Sequence, residues 1–321
     1  MIEPFDFMNH LPLEIMVQSC PAPKFKALTY PRFQSLLTDE EPEDAHKERL
    51  VVGAMCQGVP VGLALFGRPY GDGERRLLSV FVSHKFRRQG IGLKLLAEGE
   101  RAALGVGTKK LVAFHSSQIP NYTVYESLMQ KAGWSAPELL EYRLAGKAKW
   151  VYEAERDWEK FLVRVKRGGF ITTYWPDLTD ADREQIAHVM ENDVPEEDQV
   201  YNPLKHNLPE FLPEISALLR CGNEIAGWVL GSKSANDHTY YYTNGYALPK
   251  YQKRGYLIVG MMEVCRRQAE LFGPETLSTY ETRNAAMKRV MHQQIKPYSE
   301  WTDERFVCEK ILMDTGEKLE V

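Results

Sequence analysis

The residues with the clearest chemical potential lie in one stretch, Leu77-Leu78-Ser79-Val80-Phe81-Val82-Ser83-His84-Lys85-Phe86-Arg87-Arg88-Gln89-Gly90-Ile91-Gly92. An apolar run feeds a basic turn, two glycines follow, and residues 93–104 continue with the apolar spacing of an amphipathic helix. A strand that turns into a helix in this way directs free backbone N–H groups and the positive end of the helix dipole at one spot, a site suited to a pyrophosphate. Glycine at 90 and 92 lets phosphates approach the backbone, where a side chain would hold them away. A nucleotide P-loop is excluded because no Gly-Lys-Ser/Thr follows at the required spacing. A dinucleotide fingerprint is excluded because the third glycine and a βαβ frame are missing.

The elements that must position this loop occur twice. Leu50–Cys56, a Gln57-Gly58 turn and residues 61–66 read as a β-hairpin, matched by residues 215–220, a Cys221-Gly222-Asn223 turn and residues 225–230. A third strand follows each hairpin, at 76–82 and at 238–246, and then a basic, glycine-containing loop opens a helix. Gly62 and Gly227 are 165 apart (227 − 62), as are Gly90 and Gly255 (255 − 90). Asn121 and Asn284, each opening a helix after a short strand, are 163 apart (284 − 121). Near-constant spacing at three anchors marks a duplication.

Between the copies, residues 145–169 read as a helical connector, with Val151, Ala154, Trp158, Phe161, Leu162 and Val165 on one face and Gly168-Gly169 as a stop. The second copy then opens with a strand at 170–175 and a helix capped by Thr179, with Asp180 and Asp182 in its first turn. Each half runs strand, helices, three-strand meander, helix, strand, helix, strand pair. That order predicts a mixed-sheet α/β (α+β) domain rather than a doubly wound one. The expected division is 1–145 for the first domain, 146–168 for the connector and 169–321 for the second domain.

With 321 residues, two domains of ordinary size are expected. A net charge of −4, with basic pairs scattered among acids, argues against a nucleic-acid partner. Five cysteines, far apart and without a Cys-x-x-Cys, point to reduced thiols in a cytoplasm and to no metal site. Neither a signal peptide nor a membrane span is expected, since the most apolar stretch, 50–67, is interrupted by Gln57-Gly58 and Pro60.

Arg87-x-x-Gly90-x-Gly92 after a strand resembles the coenzyme A loop of the GNAT acyltransferase superfamily, whose pattern is Arg/Gln-x-x-Gly-x-Gly/Ala. Asn121 through Ala132-Gly133-Trp134 is similar to that family's Asn-led fourth helix, which ends in Gly-aromatic. The second loop, Gln252-Lys253-Arg254-Gly255-Tyr256-Leu257, keeps Gln-x-x-Gly but has Leu257 in place of the small third residue. In that, and in Asn284-x-x-Met287, the chain resembles the tandem GNAT group that includes mycothiol synthase.

The resemblance implies two tandem GNAT-like domains and an N-acyltransferase, with acetyl the expected group, that passes an acyl group from acyl-CoA (acetyl-CoA) to a primary amine by direct attack. The acceptor would be a small molecule or a peptide. It places coenzyme A on Phe81, Val82, Arg87, Arg88, Gln89, Gly90, Ile91, Gly92 and Asn121, with a second candidate site at Gln252, Lys253, Arg254, Gly255 and Tyr256. A backbone N–H at Phe81 or Val82 would stabilise the oxyanion. The family's usual acidic Tyr falls at Met129 here. Tyr125, one turn earlier on the same helix face, is the candidate acid, although such a Tyr also anchors packing through its ring. His84, His115 and Glu281 are candidate bases that could equally be solvated or capping residues. The acidic run Asp39-Glu40-Glu41-x-Glu43-Asp44 would attract a cationic amine or simply begin a helix with Thr38 and Glu41 as its capping box. Two alternatives stand beside the enzyme: a non-catalytic acyl-CoA-binding or regulatory protein, and a chain whose second domain is the active one.

Overall fold

The computed structural model describes residues 12–19, 22–38, 48–206, 208, 210–234 and 238–312. The acidic run at 39–44 lies outside these residues. In chain order come β1 (Leu13–Ser19), short helical turns at Pro23–Leu28 and Pro31–Gln34, β2 (Leu50–Cys56), β3 (Val59–Tyr70), β4 (Glu74–Val82), α1 (Ile91–Gly105), β5 (Lys110–Ser116), α2 (Tyr122–Lys131) and β6 (Glu138–Lys147). Then follow α3 (Trp150–Asp157), α4 (Glu159–Arg167), β7 (Phe170–Tyr174), α5 (Asp180–Asn192), β8 (Phe211–Cys221), β9 (Glu224–Lys233) and β10 (Thr239–Ala247). The chain continues through α6 (Tyr256–Phe272), β11 (Leu277–Thr282), α7 (Ala285–Val290) and β12 (Trp301–Ile311).

These elements form two compact units, Met1–Leu140 with Arg305–Val321, and Glu141–Glu304. The first unit's sheet runs β1-β2-β3-β4-β5-β12, antiparallel except for the parallel pair β4/β5. The second unit's sheet runs β7-β8-β9-β10-β11-β6, with β10/β11 as its parallel pair. A linear reading gives residues 305–311 to the second copy and 141–145 to the first. Pairing places them differently: Arg305 to Ile311 lie in register with Ser116 to Lys110, and Tyr142 to Lys147 with Thr282 to Leu277. Beside β5 lies the long antiparallel strand β12, and beside β11 the long antiparallel strand β6, in place of the expected strand pair within each half.

Local sequence explains most elements. Gln57 and Gly58 both take positive φ (49° and 76°), the pairing a two-residue hairpin turn requires. Thr179 caps α5 in a full capping box, accepting from the Asp182 N–H while Asp182 accepts from the Thr179 N–H. On α1, Ile91, Leu95 and Ala103 are buried at helical spacing, and Gly99 admits the Phe66 ring where a Cβ would collide with it. On α6, Gly260 does the same for Leu219. Full burial of side chains like Leu95 contributes roughly 1.5–3 kcal/mol each. The expected connector is two helices broken at Trp158, and Val151, Ala154 and Val165 lie in the second unit's core.

Candidate functional site

The two glycine loops have the same backbone. A short helical turn, His84–Phe86 or Pro249–Tyr251, leaves each central strand. Arg88 and Lys253 then adopt φ of 62° and 63°, and Gly90 and Gly255 cap their helices at φ of 75° and 86°. The first helical hydrogen bond runs from the Lys94 N–H to the Gly90 carbonyl in one loop and from the Val259 N–H to the Gly255 carbonyl in the other, both 3.1 Å. The N–H groups before it, at Ile91, Gly92 and Leu93 in the first loop, are the ones a helix start offers to an anion.

The leading residue of each loop also has one shared task. Arg87 Nε–H donates to the Val82 carbonyl at 2.9 Å, and Gln252 Nε2–H donates to the Ala247 carbonyl at 3.3 Å. Those carbonyls are free because the strands part there. The parallel register of β4 with β5 ends at Leu77↔Ala113, and that of β10 with β11 ends at Tyr242↔Tyr280. Ser83 N–H donates to the Val61 carbonyl at 2.8 Å. By strand alternation Phe81 N–H also turns toward β3, whereas the N–H groups of Val80 and Val82 turn into the cleft between β4 and β5. Of the two oxyanion candidates, Val82 therefore faces the cleft and Phe81 does not.

What stands before the loops differs. A Cβ built on Gly90 would meet nothing within 4 Å. A Cβ on Gly255 would lie 2.5 Å from Phe161 Cζ and 3.4 Å from Val165 Cγ2, so α4 fills the space over the second loop. Arg254 stacks over the Tyr251 ring at 5.5 Å. Tyr256 is buried, donates to the Gly168 carbonyl at 3.0 Å and stacks on Phe170 at 5.5 Å. In the first loop Arg88, Gln89 and Gly90 are exposed, while the Ile91 side chain is buried against the sheet and offers only its backbone.

The third motif position does other work than its spacing implies. A Cβ on Gly92 would lie 3.2 Å and 3.3 Å from the two methyls of Leu128, so this glycine lets α1 approach α2. Leu257 does not project into the second loop's mouth; its Cδ1 lies over the strand glycine Gly245, 3.3 Å from where a Cβ would be. The obstacle there is Phe161, which no motif marks.

Helix α2 begins at Asn121, in the left-handed region at φ 60° and without a side-chain cap bond. Its counterpart Asn284 does cap, accepting from the N–H groups of Ala286 and Met287 at 2.9 and 3.0 Å. Met129 is fully buried in the core. Tyr125 packs over His115, with ring centroids 5.1 Å apart, and burial pushes its phenol well above the ordinary tyrosine range against a smaller opposing pull from Arg76. His115 is buried, with Nε2 2.9 Å from Glu126 Oε1 and its ring stacked on Phe306 at 5.2 Å. Its Nδ1 has no hydrogen-bond partner among the described residues. The structure thus brings together Tyr125, His115 and Glu126, the last unmarked in the sequence although it follows Tyr125 directly. His84 is exposed on its turn, and Glu281 is ion-paired with Arg143 at 3.3 Å.

Among the described residues no cluster of three or more His, Cys, Asp or Glu is placed to hold a metal, and no helix is long and apolar enough to cross a membrane.

The sequence profile of the Acetyltransferase (GNAT) family matches residues 16–129. Among solved structures, a GCN5-related N-acetyltransferase from Sphaerobacter thermophilus is 12% identical, covers 94% of this chain and 97% of its own, and has a TM-score of 0.50, a likeness of fold. A tandem GNAT protein from the clavulanic acid biosynthesis pathway is 12% identical over 94% of this chain and 100% of its own, with a TM-score of 0.47. A putative acetyltransferase of the GNAT family from Desulfovibrio desulfuricans is 22% identical over 40% of this chain and 89% of its own, with a TM-score of 0.35. No curated protein sequence matches the chain.

Proposed function

We propose that the first unit of this chain, which the GNAT family profile matches over residues 16–129, is an acetyltransferase domain that transfers acetyl from acetyl-CoA to a primary amine while the second unit binds no cofactor. The observation that carries this reading is the open space before Gly90 set against Phe161 before Gly255. Coenzyme A's pyrophosphate lies on the N–H groups that open α1, and its pantetheine arm enters the cleft between β4 and β5. The neutral amine attacks the thioester carbon, and the carbonyl oxygen's developing charge is met by an N–H of that cleft, Val82 on the reading above. As the C–N bond forms, the C–S electron pair leaves on the coenzyme A sulfur. One proton passes from the amine to that sulfur. His115, oriented by Glu126, takes it from the amine through water, Tyr125, held protonated by its burial, gives its phenol proton to the departing sulfur, and the proton on His115 returns to Tyr125 through solvent.

Native mass spectrometry and calorimetry test the cofactor half: one coenzyme A per chain is expected. At a hundredfold its dissociation constant the ligand should add about 2.7 kcal/mol of apparent stability. Thiol release from acetyl-CoA with a panel of amines tests the transfer. Absence of binding at millimolar ligand, or two cofactors per chain, refutes the assignment. Binding without any acceptor-dependent thiol release would instead favour a regulatory acyl-CoA-binding protein.

A further inference from the structure

The first unit carries a pocket of about 460 Å³ that none of the motifs predicts. Leu36, Gly67, Leu78 and Phe114 line it. Leu78 and Phe114 directly follow Leu77↔Ala113, the last paired step of β4 and β5, so the pocket begins where the cleft between those strands begins. Phe114 alternates with Ala113 and His115, which lie on the helix side of the sheet, so the pocket opens on the other face. Its surface is mostly carbon. Arg49 and Arg68, which also border it, hold partners of their own, and Arg76 lies over the Phe114 ring at 4.5 Å. Arginines whose heads are engaged in this way cover a pocket with their methylene stems. Gly67 leaves room in the wall: a Cβ there would lie 3.6 Å from Leu78 Cδ1, an ordinary contact, and its backbone is not left-handed.

We infer that this pocket receives the acyl chain of coenzyme A thioesters longer than acetyl, so that the first unit takes such donors as well as acetyl-CoA. The assignment rests on the coenzyme A reading of the first loop. Direction chooses the occupant. Coenzyme A's pantetheine arm comes down the cleft from the start of α1, past Val82, and its acyl group continues along β4 toward Leu78. On the helix side the way is closed, since Leu77, Ala113 and Met129 are buried in the core. The opposite face is the remaining exit, and the pocket lies on it. An acceptor, by contrast, must present its amine across that line. Val82 to Leu78 is four residues, about 13 Å of strand. An acetyl group held at Val82 therefore stops short of the pocket, and a chain of medium length enters it. Leu36, Leu78 and Phe114 then shield its methylenes from water.

Calorimetry with coenzyme A and with acetyl-, butanoyl-, octanoyl- and dodecanoyl-CoA, below their micelle concentrations, tests this without any acceptor. Affinity should be level from acetyl to butanoyl and then rise, by about twofold to fourfold for each methylene withdrawn from water. Gly67→Leu should fill the pocket and remove that rise while acetyl-CoA binds as before, and Gly67→Ala should remove only part of it; circular dichroism checks that both fold. In transfer assays with one amine, Gly67→Leu should raise KM for dodecanoyl-CoA and not for acetyl-CoA. Equal binding of all the thioesters would overturn the inference and leave the coenzyme A reading standing, whereas failure of coenzyme A itself to bind would overturn both. A rise with chain length that survives Gly67→Leu would put the chain outside this pocket and overturn the inference. So would a higher KM for long alkylamines in Gly67→Leu with acetyl-CoA as donor, which would give the pocket to the acceptor.

Discussion

The two glycine loops share strand exit, helical turn, left-handed residues and first helical hydrogen bond, yet one opens on space and the other on an aromatic ring. A duplicated backbone therefore does not carry duplicated surroundings. What divides them is α4, a segment outside the repeated motif, whose Phe161 and Val165 occupy the volume over Gly255. The second unit gains core there, since Phe161 and Val165 pack with its buried cluster. Anion binding at a helix start needs both free N–H groups and room for the anion, and only the first is inherited with the loop.

The strongest way to break this comparison is a pair of equivalent substitutions. Gly90→Val should abolish coenzyme A binding with the fold intact by circular dichroism, because the branched side chain crowds the phosphates, and should cost about 1–2 kcal/mol of stability for a left-handed residue. Gly255→Val should leave one cofactor per chain but destabilise the protein by about 1–3 kcal/mol for overpacking against Phe161, with a further cost of about 1–2 kcal/mol for a left-handed residue. Calorimetry and thermal melts read the two effects apart; cofactor loss on changing Gly255 alone would reverse the assignment.

The helices after each Asn give the next largest contrast. Tyr125→Phe should lower kcat about a hundredfold, within the range of acid–base assistance, with coenzyme A affinity unchanged. Lys288, four residues after Asn284 as Tyr125 is after Asn121, is ion-paired with Glu304 at 2.8 Å, and Lys288→Met should not change kcat. Steady-state rates decide, and an unchanged Tyr125→Phe enzyme removes that residue from the mechanism.

Opening the second loop sharpens the comparison. Phe161→Ala with Val165→Ala should let a second, weak coenzyme A appear in native mass spectra at millimolar ligand. A stoichiometry still at one would mean that filling by α4 is not what silences the loop. Arg87→Gln, which installs the second loop's residue in the first, should keep most of the affinity because Gln252 already makes the equivalent bond. Arg87→Ala should lose more, a loss of about 0.5–1.5 kcal/mol as for a single ordinary hydrogen bond.

The smallest effect is a control on a feature with no counterpart among the described residues of the first unit. Thr179→Ala should cost about 1 kcal/mol through the lost cap and leave cofactor binding alone. Its bond to Asp182, more than the nearby Arg220, holds that carboxyl below the usual carboxylate range. The native pKa is thus below the unfolded one, so the stabilisation is present above roughly pH 4 and is lost as pH falls through the native value. Thermal melts of wild type and Thr179→Ala should converge toward acid pH.

Much of this was legible in the residues themselves. The hairpin turn at Gln57-Gly58, the Thr179 cap, the loop at Arg87–Gly90 and its repetition 165 residues on (255 − 90) are local, and local backbone preference follows from a few neighbouring side chains. Burial partners are not local. The apolar face of residues 151–165 announced that it would be covered, but not that Phe161 would lie over Gly255. Gly92 and Leu257 occupy equivalent motif positions, yet one meets Leu128 of a helix and the other the strand residue Gly245. Strand pairing likewise joins residues far apart in sequence, so only the tertiary structure assigns 305–311 to the first unit and 142–147 to the second. Periodicity fixes which face of an element is apolar; which neighbour satisfies that face depends on how the whole chain packs.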